Sequence, residues 1–200
     1  QSTQYSTPIA STVRELVTNA CDSQREKEIA LEIIRGEKEV ADYYITRHED
    51  KYIDSNFDPD YYDENQLTEE DNRVIVKYEE KDGAGFCDVF SVLDRGVGIG
   101  QKRLEGYLEL GFSTKRNTAE NFGAFGLGAK VPLSTGVDFY TVDTVHNGLR
   151  FHLNCYAYKT DDLTSKWEAD GHVTFSDGRQ VYYTHTDAPN GTCISFFFFF

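Results

Sequence analysis

Three strings, two of them glycine-rich, decide how this sequence is interpreted: DRGVGIG at 94–100, GFSTKR at 111–116 and NFGAFGLGAK at 121–130. Most of the chain's sixteen glycines lie in or beside this stretch. Glycine lets main-chain N–H groups approach a ligand with no Cβ in the way. A glycine-rich turn that leads into a helix is a typical anion site, because helix N-termini offer unpaired N–H groups and a positive dipole end. The stretch therefore predicts a nucleotide phosphate site.

Basic residues accompany these glycines in a chain whose net charge is −14: Lys102, Arg103, Lys115, Arg116 and Lys130. This local clustering favours a bound phosphate. For Lys115 and Arg116 the alternative is a solvated loop, where most lysines and arginines lie.

Two common phosphate-binding motifs are excluded. Gly123 and Gly128 have the glycine spacing of a Walker A loop, but Ala129 separates Gly128 from Lys130 and no Ser or Thr follows. A Rossmann site is excluded because no βαβ unit surrounds these glycines.

Length and composition indicate one globular domain. The 200 residues are long enough to bury a core, and no apolar run approaches the roughly 20 residues that cross a membrane. The strongly acidic balance gives no nucleic-acid signature beyond a local basic patch. The four cysteines are widely spaced without metal-ligand spacing, and we expect reduced, buried thiols in a cytoplasmic compartment: Cys21, Cys87, Cys155 and Cys193.

Residues 9–25 predict an amphipathic helix, capped by Ser11 or Thr12, that continues to a stop at Gly36. Its apolar stripe follows the i, i+3, i+4, i+7 spacing: Val13, Leu16, Val17 and Ala20.

The opposite face of this helix carries Glu15, Asn19 and Asp22. Glu15 could activate a water for attack on a terminal phosphate, and Asn19 could give Mg²⁺ a neutral oxygen ligand. Asp22 could support either group. The alternative is that all three form the solvated face of an amphipathic helix.

An acidic insertion occupies 41–72, with ten acidic residues against one lysine between Glu49 and Asp71 and five tyrosines nearby. We expect a solvated segment with a loose aromatic anchor. A calcium site is conceivable from four aspartates, although the glycine and terminal glutamate of an EF-hand are missing: Asp54, Asp58, Asp60 and Asp63.

The remaining pattern predicts a hairpin, two helices and then a strand meander. We expect strands at 74–79, 86–93, 138–145, 149–158, 173–175, 181–186 and from 193 onwards, and helices at 100–110 and 127–134. Asp82-Gly83 and Asn147-Gly148 are hairpin turns. The order of elements indicates an α/β (α+β) two-layer sandwich, a mostly antiparallel sheet with helices on one face.

Asp94 stands at the end of the strand that enters the first glycine turn. Its carboxylate could accept a hydrogen bond from an amino group such as that of adenine, whereas a phosphate would be repelled. The alternative is an ordinary turn aspartate before glycine. None of the five histidines lies in a motif, and we expect them at the surface or in strands.

Four strings in one order carry a family resemblance: ELVTNACD at 15–22, DRGVGIG at 94–100, GAFGLGAK at 123–130 and NGTCI at 190–194. Together they resemble the N, G1, G2 and terminal Gly-Thr motifs of the GHKL ATPases, which include gyrase, the large heat-shock chaperone, histidine kinases and MutL. The longer strings look closest to phage rapid-lysis A-type proteins.

The resemblance implies a Bergerat fold that binds ATP and Mg²⁺ between the first helix and a lid near 111–124. It implies that Glu15 is the general base, Asn19 the magnesium ligand and Asp94 the adenine contact. The other positions that it implies at the nucleotide are Asp22, Gly96, Gly98, Lys115, Gly123, Gly126, Leu127, Gly128, Lys130 and Thr192.

Two departures from this family accompany the resemblance. The acidic insertion has no counterpart in the compact family core. We expect a single domain over 1–200, with the domains that follow in gyrase, MutL and the chaperone absent or truncated.

Three functions remain open at this point. The first is a Mg²⁺-dependent ATPase domain that switches conformation or forms a homodimer on ATP binding, in the cytoplasm of a phage-infected host. The second is an ATP-binding interaction module with negligible hydrolysis. The third is an acidic interaction protein whose glycines are coincidental.

Overall fold

A computed structural model describes residues 8–39, 59–67, 72–80, 87–112, 139–156 and 160–199. The helices are α1 (Pro8–Ile34) and α2 (Gln101–Phe112), with short 3-10 turns at Pro59–Tyr61 and Glu64–Gln66. The strands are β1 (Ile75–Glu79), β2 (Cys87–Asp94), β3 (Phe139–His146), β4 (Leu149–Tyr156), β5 (Thr160–Asp162), β6 (Gly171–Thr174), β7 (Gln180–His185) and β8 (Gly191–Phe199). The helix predicted at 127–134 and the Asp82-Gly83 turn lie outside the described residues.

The strands form one eight-stranded sheet in the order β1-β2-β8-β3-β4-β7-β6, with β5 paired to β4. Every strand pair within the described residues is antiparallel. The predicted meander is wrong for β8, which returns to the centre of the sheet between β2 and β3. β8 therefore connects the hairpin that precedes the glycine-rich stretch to the strands that follow it.

The strand register lines up apolar side chains on the sheet face that the helices cover. Two rows run across β2, β8, β3 and β4: Phe90, Phe196, Tyr140 and Cys155, then Val92, Ile194, Val142 and Leu153. Leu16 and Ala20 of α1 and Leu104 of α2 join the same core cluster. Both helices therefore cover one face, and the predicted two-layer sandwich is confirmed.

Helix α1 extends the predicted 9–25 helix to Ile34, and Gly36 ends it as expected. Gly36 has a φ of 72°, and its N–H donates to Ile33 O at 3.0 Å while the N–H of Glu37 donates to Glu32 O at 2.8 Å. These two bonds form a Schellman motif, which needs a left-handed residue at the glycine position. The predicted cap at Ser11 or Thr12 is wrong, because the helix already begins at Pro8. Proline suits a first turn because its missing N–H has no helical partner there.

The run of phenylalanines at the end of the sequence enters β8, where the alternation of a strand separates neighbouring side chains. Phe196 is buried in the helix-covered core, and Phe197 stacks on Phe139 on the other face, with ring centroids 5.3 Å apart. The Asn147-Gly148 turn is confirmed, because both residues have positive φ between the paired ends of β3 and β4.

Two expectations about side-chain burial need correction. All four cysteines are free, but only Cys155 is buried and Cys21 is exposed on α1. The aromatic anchor of the acidic insertion is packed rather than loose, since Tyr61 and Tyr62 are buried against α1. No helix in the described part of the chain is long and apolar enough to span a membrane.

The conceivable calcium site finds no support among the residues that the structure describes. Asp63 caps the 3-10 turn that follows it by accepting the N–H of Asn65 at 3.0 Å. The ranges described contain no group of three or more histidine, cysteine or acidic residues that could hold a metal ion. Asp54 and Asp58 lie outside them.

Candidate functional site

The apolar rows of the covered sheet face end in a polar row. Asp94 of β2 pairs with Thr192 of β8, which in turn pairs with Thr144 of β3. All three are buried, and the hydroxyls of Thr144 and Thr192 lie 3.0 Å apart. The strand register thus places polar groups at the end of the sheet where the first glycine turn begins. Asp94 and Thr192, predicted from separate motifs, are direct neighbours there.

Asp94 is the carboxylate of this row, and burial shifts its pKa. Its side chain is only 5% exposed, and burial raises its pKa from 3.8 to about 6. The N–H of Gly96, which donates to Oδ1 at 2.8 Å, the Ser23 hydroxyl and the positive charges of Lys27 and Arg95 oppose that shift. At neutral pH the carboxylate is therefore ionised, and with two oxygens it has acceptor capacity beyond the Gly96 bond.

The turn after Asp94 lies directly against helix α1 at Gly96. A Cβ added there would fall 2.0 Å from Ser23 Oγ and 2.5 Å from the Ser23 carbonyl carbon, which only glycine avoids. The next residue, Val97, donates its N–H to Ser23 Oγ at 3.2 Å. Ser23 therefore holds the turn in contact with the helix.

Gly98 and Ile99 attach the other side of the turn to the sheet. Gly98 has a φ of 70°, and a Cβ there would fall 1.9 Å from the carbonyl oxygen of Val145. The N–H of Ile99 donates to Thr144 Oγ1 at 2.8 Å. The DRGVGIG string thus needs its glycines at 96 and 98 because the backbone passes between a helix and a strand.

The terminal Gly-Thr motif packs against the same turn. A Cβ at Gly191 would fall 2.3 Å from Asp94 O. Before it, Asn190 is buried and accepts the N–H of Asn147 at 2.8 Å, while its own N–H donates to Gln66 O at 3.2 Å. Asn190 therefore ties the β3–β4 hairpin and the segment around Gln66 to the start of β8.

Glu15, Asn19 and Asp22 lie on α1 and are half-buried. Among the described residues none of the three makes a side-chain hydrogen bond or ion pair. Asn19 is one turn before Ser23 and Glu15 is two turns before it, so they lie about 6 Å and about 12 Å along the helix from the contact with the turn.

The predicted phosphate-contacting positions in the string at 111–116 and in the glycine motif at 123–130 lie outside the described residues: Lys115, Gly123, Gly126, Leu127, Gly128 and Lys130. Most of the expected lid at 111–124 lies outside them too. Its first two residues, Gly111 and Phe112, belong to helix α2 rather than to a loop.

Arg103 forms an ion pair with a carboxylate, although the sequence grouped it with the basic residues of a phosphate site. Its Nη2 lies 2.7 Å from Oε1 of Glu26, a residue of α1 that is fully buried. Arg103 is therefore not a phosphate ligand, and Glu26 was not a predicted site residue. Of the neighbouring residues Lys102 and Arg103, only Lys102 is exposed.

Three aromatic residues beside the turn were also missed by sequence reasoning. Tyr61 accepts the N–H of Gly100 on its hydroxyl at 2.9 Å, and its ring lies on His146 with centroids 4.2 Å apart. Tyr62 donates to Glu26 at 2.6 Å. His146 is a strand residue as expected, but burial lowers its pKa and its Nδ1 lies 2.8 Å from Val97 O. No sequence motif joins these positions, although tyrosines inside an acidic stretch were a visible anomaly.

No protein-family model matches this sequence, and a search of curated proteins finds no match. Among solved structures, the chain is similar to the 43K ATPase domain of Thermus thermophilus gyrase B in complex with an aminocoumarin. The two sequences are 16% identical, the TM-score is 0.34, and the alignment covers 62% of this chain and 27% of that chain. This chain therefore matches about a quarter of that relative's length, and residue roles depend on the geometry and motifs of the chain itself.

Proposed function

We propose that this domain binds ATP with Mg²⁺ and hydrolyses it, in the manner of the GHKL ATPases that its motifs resemble. One observation carries the proposal. A buried, ionised carboxylate, Asp94, is held at Ser23 against the helix that presents Asn19 and Glu15 one and two turns away. This arrangement supports a site in which an acceptor for the adenine amino group is followed along α1 by a magnesium ligand and then by a general base.

Each group has a chemical task in this proposal. Asp94 accepts a hydrogen bond from the adenine amino group, Gly96 and Gly98 shape the turn beneath the base, and Thr192 lines the pocket beside Asp94. At the other end, Asn19 offers its side-chain oxygen to Mg²⁺, an ion that bridges phosphate oxygens and keeps several waters.

The residues present fit such an ion. The Asn19 amide has no partner among the described residues and is half-exposed, so it is available as a ligand. Bound Mg²⁺ would neutralise charge on the phosphates. Asp22, one turn from Asn19, would orient the waters around it.

Glu15 is the proposed general base for the attacking water. From the resemblance we propose that the backbone N–H groups near Gly123, Gly126, Leu127 and Gly128, with Lys115 and Lys130, contact the phosphates. We further propose that nucleotide binding closes the lid and drives a conformational switch, with a homodimer as one outcome. A phage protein acting in the host cytoplasm is the setting that the closer resemblance suggests.

One observation favours a second function, an ATP-binding interaction module with negligible hydrolysis. Glu15 is half-exposed and makes no hydrogen bond within the described part of the chain. A general base is normally held in place by a partner. On this alternative ATP binds at the same site, but Glu15 never activates a water.

The experiment separates binding from turnover. Calorimetry with ATP and Mg²⁺ measures binding, and phosphate release measures hydrolysis, for wild type, Glu15→Gln and the control Glu28→Gln. Glu28 is an exposed glutamate of the same helix that accepts a hydrogen bond from Asn72. We expect Glu15→Gln to bind ATP but to lose at least about a hundredfold in phosphate release, the usual contribution of a general base. If wild type binds ATP but both it and Glu15→Gln release phosphate only at the background rate, the interaction module is correct. Unchanged release well above background would show that Glu15 is not the general base, and if wild type binds no ATP, both ideas fail.

A further inference from the structure

We propose that Tyr61, in the segment 59–67 that ends the acidic insertion, is a positioning residue for the nucleotide site. It fixes the Asp94–Gly100 turn relative to helix α1. This inference rests on the proposed ATP site, and it gives a role to a part of the insertion.

The segment is packed onto the turn by a separate apolar cluster. Tyr61, Tyr62 and Leu67 are buried together with Val97 of the turn and with two residues of α1, Ala30 and Leu31. Val97 has no exposed surface at all. The middle of the DRGVGIG string is therefore covered by the segment, and the turn cannot shift without disturbing this cluster.

Tyr61 also satisfies the backbone at the end of the turn. Gly100 directly precedes helix α2, where N–H groups have no partner within the helix. The N–H of Gly100 donates to the Tyr61 hydroxyl at 2.9 Å. Without that hydroxyl, this buried N–H would lack an acceptor, which destabilises the local conformation.

The ring of Tyr61 has two close neighbours. Its first neighbour is His146, whose Nδ1 lies 2.8 Å from Val97 O, so the same stack reaches a second backbone group of the turn. Its other neighbour is the Arg103 guanidinium, whose central carbon is 4.3 Å from the ring centroid. A cation over an aromatic face is attracted to it, most strongly where water is excluded.

The Arg103 side chain ties this stack to helix α1. Arg103 Nη2 and the Tyr62 hydroxyl both bond to Glu26 Oε1, at 2.7 Å and 2.6 Å. Glu26 lies three residues after Ser23, on the same side of the helix. The turn is thus fastened to α1 twice, at its start through Ser23 and at its end through Tyr61 and Arg103. Both fastenings set where Asp94 lies relative to Asn19 and Glu15.

The test compares two adjacent tyrosines of equal burial. Tyr61→Phe keeps the ring but removes the acceptor for the Gly100 N–H. Tyr62→Phe is the matched control, since it removes a buried hydroxyl that bonds Glu26 and Arg103 but leaves the acceptor of the Gly100 N–H in place. Hydrogen exchange of the backbone amides in the nucleotide-free protein, the Kd for ATP with Mg²⁺ and the Kd for inorganic tripolyphosphate are measured for each, together with unfolding in urea.

We expect Tyr61→Phe to speed exchange of the Gly100 amide roughly tenfold, as loss of one buried hydrogen bond predicts, with smaller changes from Gly96 to Ile99. We expect ATP binding to weaken by a similar factor and tripolyphosphate binding to stay unchanged, because only the adenine end of the site moves. Tyr62→Phe should lower stability to a comparable extent while leaving the Gly100 amide protected.

The outcomes separate this inference from the proposed function. Faster exchange confined to the turn in Tyr61→Phe supports the role of Tyr61 whether or not ATP binds. Equal exchange in both variants overturns it, as does an unchanged ATP affinity of Tyr61→Phe in a protein whose wild type binds ATP. A wild type that binds no ATP refutes the ATP site, while the exchange rates still decide whether Tyr61 holds the turn.

Discussion

Replacing Asp94 with asparagine should raise stability at neutral pH while it weakens ATP binding. The pKa of the buried carboxyl is about 6 in the folded protein, against an ordinary value of 3.8. Below about pH 3.8 the group is protonated in both states, and between the two values only the folded state keeps the proton. Above about pH 6 both states are ionised, and the folded state carries the cost of a buried charge. Stability is therefore lost as the pH rises from about 4 to about 6.

The size of this effect follows from the two pKa values. Their difference, at about 1.36 kcal/mol per pKa unit, corresponds to a cost of about 3 kcal/mol above pH 7. About 1 kcal/mol of it is already present at about pH 4.5, because the unfolded carboxyl is partly ionised there. Asparagine is neutral, nearly isosteric, and still accepts the Gly96 N–H. The stability of Asp94→Asn relative to wild type should therefore improve by about 2 kcal/mol between about pH 4.5 and about pH 7.5.

Urea unfolding at the two pH values measures this change, and Asp143→Asn is the control. Burial raises the pKa of Asp143, but its bonds to Arg150 and His152 outweigh this and lower it to about 2. Asp143 therefore stabilises the fold above about pH 3.8 and loses that contribution only as the pH falls towards 2. Asp143→Asn should be destabilised at both pH values, whereas Asp94→Asn should be stabilised at about pH 7.5. If the stability of Asp94→Asn relative to wild type does not rise between the two pH values, the buried charge of Asp94 does not destabilise the folded protein.

The same substitution should weaken ATP binding although it raises stability at neutral pH. A charge-assisted hydrogen bond is about twice as strong as a neutral one. Asp94→Asn should therefore bind ATP at least about tenfold more weakly at about pH 7.5, as measured by calorimetry. A variant that is both more stable and unimpaired in binding would show that Asp94 does not contact the nucleotide.

Three shorter predictions follow from the same geometry. Gly96→Ala should lower the free energy of unfolding in urea by about 3 kcal/mol or abolish folding, because its Cβ would meet the backbone of Ser23. Gly106→Ala in α2, with open space around it, should raise that free energy by about 0.5–1 kcal/mol. ATP affinity of the wild type should fall about tenfold from pH 7 to about pH 5 as Asp94 is protonated, and Asp94→Asn should lack that step in calorimetry. Gly36→Ala should lower the thermal midpoint, at a cost of about 1 kcal/mol, because the cap requires a φ of 72°.

Local chemistry made part of the fold predictable. The apolar stripe of α1, the glycine that ends it and the Asn147-Gly148 turn depend on residues within a few positions of one another, so their pattern is visible in the chain. The Asp94 position is of the same kind, since a strand followed by a glycine turn places its last side chain at the end of that strand, beside the turn. These features appear in the structure within a few residues of where they were expected.

Long-range pairing was beyond the reach of such patterns. The entry of β8 between β2 and β3 is a choice among sheet orders that alternation does not distinguish, because every strand there is apolar on the covered face. Arg103 illustrates the same limit at the site. Its charge suggested a phosphate contact, but its partner Glu26 lies far away in sequence on a helix whose buried side was expected to be apolar.

The average composition of the acidic insertion did not indicate that part of it packs against the first glycine turn. Excess charge and low hydrophobicity indicate a solvated segment, and that average is dominated by its aspartates and glutamates. Two adjacent tyrosines change the local balance, because each buries a large ring and brings a hydroxyl that must find a partner. The Tyr61 hydroxyl accepts the N–H of Gly100 at the end of the first glycine turn. The Tyr62 hydroxyl donates to Glu26 of α1, the helix against which that turn packs. An aromatic pair inside a charged stretch is thus a stronger indication of docking than the average hydropathy around it, and here the docking partner is the turn that presents Asp94.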